Sequence, residues 1–103
     1  ELKNAEKART SVTDGVPVSL PALTQASKLL QRLDNADAAA PLSLPAVEAV
    51  ADLMTSGLDA GELMIALVAR LRAEGRDPDA LMRESVRAFR TAIVAAEQAS
   101  SAQ

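Results

Sequence analysis

Three short helix-start signals divide this chain into segments and limit the folds open to it. In each, a Ser or Asp precedes a proline by one or two residues: Ser19-Leu20-Pro21, Ser43-Leu44-Pro45 and Asp77-Pro78. Ser and Asp side chains accept hydrogen bonds from the free amides of a first helical turn. Proline is tolerated there because the amides of that turn have no partner within the helix, so its missing N–H costs nothing. Asp59, shortly after Gly57, is a fourth candidate cap. The sequence therefore predicts four helices.

Apolar residues recur at three- and four-residue spacings, which places them on one face of each predicted helix. The first helix is predicted over 21–33 and the second from the Ser43 signal to about Thr55. The third lies between Asp59 and Gly75, and the fourth keeps its apolar stripe to about Ala96. We therefore predict an all-α protein, an antiparallel four-helix bundle, since 103 residues suffice for one small domain and not for two.

The predicted domain covers residues 19–98 and has a short segment on either side. Residues 1–18 are predicted to be the end of a preceding domain's helix and a linker, because a charged stretch is followed by the turn-forming residues Thr13, Asp14, Gly15 and Pro17. Residues 99–103 are predicted to be a polar tail. We therefore expect this chain to be part of a longer protein.

Composition excludes several kinds of function. The chain has no His, Cys, Trp or Tyr, so Ser-His triads, zinc sites, disulfides and aromatic platforms for single-stranded nucleic acid are ruled out. A net charge of -3 gives no positive field for a phosphate backbone, so we expect no nucleic-acid partner. No apolar run approaches the roughly 18 residues that span a bilayer, so we expect no membrane partner and a cytoplasmic protein.

The third predicted helix is apolar on every side over residues 63–69. A helix of that kind needs cover around its whole circumference, and so small a domain supplies only part of it. A second copy of the chain is the simplest source of the rest. We therefore predict that dimerisation completes the bundle, with the interface at Leu63, Met64, Leu67 and Val68.

Four carboxylates are the candidate metal ligands. Glu48 and Asp52 lie four residues apart on the second helix, and Asp59 and Glu62 lie three apart at the start of the third. Each pair shares a helix face, and a short connection allows the two pairs to face one another. Oxygen ligands gathered in this way suit Mg²⁺ or Mn²⁺. The alternative is ordinary solvated acids, with those on the third helix favoured by the helix dipole.

Arginines on the fourth helix are the candidate phosphate ligands. Arg83, Arg87 and Arg90 follow at i, i+4 and i+7, a spacing that could gather phosphates and that equally describes the solvated face of an amphipathic helix. Lys28 and Arg32 on the first helix allow the same two interpretations.

Two motifs resemble a known family. The segment Ser19-Leu20-Pro21-Ala22-Leu23, together with Gly75-Arg76-Asp77-Pro78 and the following Asp79-Ala80-Leu81, is similar to the tandem-domain MazG proteins, and the resemblance covers nearly the whole chain. It implies an all-helical dimer. Members of this family cleave nucleoside triphosphates between the α and β phosphates, giving a monophosphate and pyrophosphate. They hold Mg²⁺ with an EExxE motif on one helix and an ExxD motif on the next.

The resemblance places damaged versions of both motifs in this chain. The first falls on 48–52, where the second Glu of the family is Ala49 and the last is Asp52; the second is inverted as Asp59 and Glu62. The family's base-stacking aromatic is missing from 34–40, and its phosphate contacts map to Ser85 and Arg87. A methyl group cannot ligate a cation, and Mg²⁺ tolerates changed ligand reach poorly.

These losses predict a degenerate MazG-like domain with no catalytic residues. Glu48, Asp52, Asp59 and Glu62 are then vestigial metal positions, Arg87 and Arg90 are what remains of a phosphate site, and Mg²⁺ serves the parent enzyme. The expected partners are a second copy and the preceding MazG domain of the same polypeptide. Two alternatives stay open: a working Mg²⁺-dependent pyrophosphohydrolase, and an unrelated four-helix interaction module.

Overall fold

The computed structural model describes residues 11–101, which form four α-helices and no strand. Helix α1 spans Ala22–Asn35, α2 spans Leu44–Thr55, α3 spans Ala60–Ala73 and α4 spans Pro78–Ser101. The all-α prediction is confirmed for this part of the chain. Within it, no helix is both long and apolar enough to cross a bilayer.

Local capping explains where α2, α3 and α4 begin. The Ser43 hydroxyl accepts from the Ala46 amide at 3.2 Å, and Asp77 Oδ1 accepts from the Asp79 amide at 3.0 Å. The first start signal behaves differently, because α1 begins after Pro21 with no side chain capping it. The fourth helix also runs further than expected: residues 99–101, predicted to be a polar tail, continue α4.

The helical chain divides into two compact units. The first combines residues 11–41 with 82–101, and thus contains α1 and most of α4. Its core is a cluster of buried aliphatic side chains, against which Phe89, Met82 and several smaller residues pack; the cluster consists of Val16, Leu29, Leu33, Val86 and Ile93. Leu29 and Ile93 are almost completely buried, at 0% and 1% exposure. These side chains supply the main apolar burial of this unit.

Residues 11–18, for which the sequence predicts a linker, are packed in the first unit. Val16 is only 4% exposed and belongs to the core cluster. Side chains of α4 bind the backbone around it: Arg90 Nη2 donates to the Val16 carbonyl at 2.7 Å, and Glu97 Oε2 accepts from the Val12 amide at 3.0 Å. Turn-forming residues predict an irregular backbone, which is present, but they carry no information about partners distant in sequence.

The second unit, residues 42–81, contains α2 and α3. Residues 56–59 connect the two helices, and Gly57 takes a positive φ of 83° there, a conformation that glycine adopts without steric cost. All residues from 42 to 62 are exposed, and Leu71 is the one buried residue in 42–81. The large apolar side chains that this leaves open, which we call the apolar hairpin surface, are Leu42, Leu44, Val47, Val50, Leu53, Met54, Leu58, Met64, Ile65, Leu67 and Val68.

Candidate functional site

The four predicted metal positions lie in the second unit and are exposed. Glu48 and Asp52 are exposed on α2, Asp59 precedes α3, and Glu62 is exposed in its first turn. Across residues 11–101, no three acidic side chains come together as a group able to hold a metal ion. The structure therefore places these carboxylates in the second unit without joining them into a ligand set.

Asp59 has a different role, as the residue that caps the start of α3. Its Oδ2 atom accepts from the Glu62 amide at 2.7 Å, so this carboxylate caps α3. A capping carboxylate satisfies a free amide of the first turn and also interacts favourably with the positive end of the helix dipole. Glu62 supplies that amide and adds a second negative charge to the same turn. Capping accounts for Asp59, and the favourable interaction with the helix dipole accounts for Glu62.

A pair of substitutions separates a cap from a ligand. Asn caps helices about as well as Asp, so Asp59→Asn is expected to change the free energy of unfolding by less than about 0.5 kcal/mol, whereas Asp59→Ala should lower it by about 1 kcal/mol. Chemical denaturation followed by circular dichroism measures both. A metal ligand behaves differently, because the Asn variant would lose the carboxylate and with it the divalent-ion dependence of stability. Equal destabilisation by the two variants would contradict the capping role.

The two predicted phosphate contacts, on α4, have unlike surroundings. Arg90 is half-buried, and besides binding the Val16 carbonyl it donates to Gln25 Oε1 from Nε at 3.2 Å and from Nη2 at 2.9 Å. Its guanidinium is therefore committed to holding the first unit together. Arg87 is exposed and lines a small cavity of about 100 Å³. The cavity is formed by Val18, Gln25, Arg83, Val86, Arg87 and Arg90.

Gln25 is a structural polar residue that sequence reasoning missed. It is 7% exposed and lies on the core-facing side of α1, one turn before Leu29. Its Nε2 donates to the Val18 carbonyl at 3.1 Å and to the Leu20 carbonyl at 2.8 Å, so its amide is paired at both ends. A polar residue at a position where the helical period predicts an apolar one was the signal available in the sequence.

The predicted dimer interface lies on α3. Leu63 is half-buried, while Met64, Leu67 and Val68 are 53%, 60% and 41% exposed. Ile65, which the prediction left out, is 71% exposed. The apolar hairpin surface also takes in α2, none of whose residues 44–55 is buried. The unpartnered apolar area thus extends beyond the four predicted residues onto the neighbouring helix.

The chain is similar to a curated protein whose description names no function. No protein-family profile matches the chain, and no solved structure matches it. A curated protein of Streptomyces cacaoi, described as an uncharacterized 26.1 kDa protein in the blaB 3′ region, is 35% identical over 89 residues. The alignment covers 86% of this chain and 32% of that protein. The chain therefore spans about a third of the length of the relative that it matches.

Proposed function

We propose that this chain is a degenerate MazG-like domain of a nucleoside triphosphate pyrophosphohydrolase, whose role is dimerisation or structural support. The catalytic work belongs to the parent enzyme, which converts nucleoside triphosphates to monophosphates and pyrophosphate with Mg²⁺, acting in the cytoplasm. In this proposal the four helices form an antiparallel bundle that a second copy completes. The preceding MazG domain of the same polypeptide is the other partner.

The apolar hairpin surface is the observation that carries the assembly role. Its side chains are 41–71% exposed and are distributed over α2, α3 and their flanking turns. Monomeric proteins rarely expose a contiguous apolar patch larger than a few hundred Å². A standard interface buries about 800 Å² on each partner. Removing exposed apolar side chains from water favours association.

A second copy is the occupant that this surface fits best. The same apolar helices then face each other across a two-fold axis, so one patch serves as both halves of the contact. The polar side chains Glu48 and Asp52 on α2 leave a solvated edge, as the rim of an interface requires. The partner's hairpin would thus supply the cover that α3 lacks within its own chain.

The state of the metal positions favours a non-catalytic domain. The family's second EExxE carboxylate corresponds to Ala49, and Asp59 is used as a helix cap. A site for Mg²⁺ needs several oxygens held in near-octahedral geometry at about 2.0–2.1 Å. Solvent-exposed acids on a short hairpin, one of them bonded to a backbone amide, are a poor starting point for that geometry.

Hydrolysis and metal binding are tested on the whole chain. We expect no pyrophosphate release from a panel of nucleoside triphosphates in Mg²⁺. We also expect the melting temperature to stay constant on adding millimolar Mg²⁺, since a cation that binds only the folded state would raise it by mass action. A high-salt Mg²⁺-free control removes general ionic-strength effects. Turnover that Glu62→Ala abolishes would establish the alternative, a working enzyme.

Restoring the missing ligand gives a second, sharper arm of this test. Ala49→Glu replaces the lost carboxylate but not the base platform or the ligand reach at Asp52. We therefore expect it to leave the chain without measurable hydrolysis. The matched control is Ala46→Glu, which adds the same charge one turn earlier on α2. Pyrophosphate release by the Ala49→Glu variant alone would show that the site is one residue away from function, against the proposal.

A further inference from the structure

Residues 11–20, which we call the N-terminal strap, have no regular secondary structure and yet are bonded to α1 and α4 along their whole length. Three side chains donate to carbonyls of the strap. Arg32 Nη1 lies 3.3 Å from the Val12 oxygen and 2.6 Å from the Asp14 oxygen. Arg90 binds the Val16 carbonyl, and Gln25 binds the carbonyls of Val18 and Leu20. Every second carbonyl from Val12 to Leu20 is thus bound by a side chain.

Three hydrogen bonds donated by backbone amides of the strap add to this pattern. Near its start, the Val12 amide donates to Glu97 Oε2 at 3.0 Å, which joins the strap to the last turns of α4 across 85 residues of sequence. Within the strap, the Asp14 amide donates to the Ser11 carbonyl at 3.1 Å and the Val16 amide to the Thr13 carbonyl at 3.2 Å. Val16 then inserts its side chain into the core cluster.

The side chains that hold the strap are themselves linked. Arg90 on α4 donates twice to Gln25 Oε1 on α1, and the other end of the Gln25 amide donates to the strap. A flexible linker behaves otherwise, because its backbone is solvated and samples many conformations. Here the order of the strap depends on the packing of α1 against α4, since the holding side chains come from both helices.

We propose that the N-terminal strap is a rigid joint and not a flexible tether: in solution the backbone from Val12 to Leu20 keeps one position against α1 and α4. Arg32, Gln25 and Arg90 are its positioning residues. The proposal rests on these contacts and does not depend on the proposed function. Movement of α1 against α4 would then be transmitted to the strap, because its bonds come from both helices.

Backbone ¹⁵N relaxation on the full chain tests the joint directly. The amides of Val12, Asp14 and Val16 are expected to have order parameters near those of α1, about 0.85, rather than below about 0.6 as in a flexible tether. Arg90→Met removes three hydrogen bonds while keeping most of the side-chain volume. It should lower the order parameter at Val16 and speed exchange of that amide about tenfold or more, with α1 unchanged.

Two other variants keep the test falsifiable. Arg83→Met is the matched control, because Arg83 is exposed on the same helix, and it should leave the strap as ordered as in the wild type. If Arg90→Met fails to fold, Arg32→Met reports instead, by loosening Val12 and Asp14 alone. Order parameters below about 0.6 at Val12, Asp14 and Val16 in the wild type would overturn the proposal. So would an equally ordered strap in both the Arg90 and Arg32 variants.

Discussion

Replacing Leu29 by Ala is expected to lower the free energy of unfolding by about 2–5 kcal/mol. Leu29 is completely buried in the core cluster of the first unit, so the substitution removes apolar contacts and leaves a cavity that its neighbours fill only in part. Small domains are stable by roughly 5–15 kcal/mol, and this one substitution therefore removes a large share. The melting temperature should fall by about 10 °C or more, since 1 kcal/mol is worth about 4–8 °C in a domain of this size.

The same substitution on the other face of α1 provides the control. Leu23 is 58% exposed, and Leu23→Ala should change the free energy of unfolding by no more than about 0.5 kcal/mol. Urea denaturation followed by circular dichroism measures both variants, with the slope against denaturant used to check that the unfolded state is unchanged. Similar losses in the two variants would contradict the assignment of Leu29 to the core.

Leu67→Asp is expected to convert the proposed dimer into a monomer. Leu67 is 60% exposed within its own chain, so the new carboxylate remains solvated in the monomer and the helices can still form. In the dimer the same charge would be buried against apolar side chains without a partner, which costs several kcal/mol. A two-fold axis places two such charges in one interface. Light scattering at several protein concentrations measures the mass, and circular dichroism follows the helices.

The control adds an equal charge away from the apolar hairpin surface. Thr24 is exposed on α1, and Thr24→Asp should leave the mass of the wild-type dimer unchanged. A wild-type chain that stays monomeric at high concentration would remove the basis of the assembly role. A dimer that survives Leu67→Asp would show that the copies meet through a different surface.

The starts of α2, α3 and α4 could be predicted because capping is a local interaction. Ser43 and Asp59 lie within three residues of the amides that they bind, so the information is present in a few consecutive letters. Helix ends were predicted to within about two residues for α1 and α3. The fourth helix ran further into the Ser- and Ala-rich end, because nothing there stops a helix as a proline or glycine would.

Contacts between residues distant in sequence could not be predicted in the same way. Arg87 and Arg90 lie three residues apart on α4. Arg87 is exposed, whereas Arg90 is bonded to Gln25 and to the strap. The spacing along α4 is the same for a solvated arginine and for one that holds a distant segment. Turn-forming residues likewise suggested a linker at 11–18, although Val16 belongs to the core.

The role of the four candidate metal ligands could not be predicted from their spacing either. Their spacing is compatible with a metal site and with ordinary helix acids, and the choice depends on side-chain positions that spacing does not fix. The bond from the Glu62 amide to Asp59 favours the second interpretation for the α3 pair. The absence of an oxygen at Ala49, by contrast, can be read directly from the sequence, since no fold changes what a methyl group can ligate.

Helix α2 has only 12 residues, and none of its positions 44–55 is buried within the chain. An isolated helix of that length is marginal in water, because its few backbone hydrogen bonds barely offset the cost of starting it. In the proposed dimer, burial of α2 against the second copy would add the stability that this short helix lacks on its own. The free energy of unfolding would then rise with protein concentration, as it does for any fold that binding stabilises.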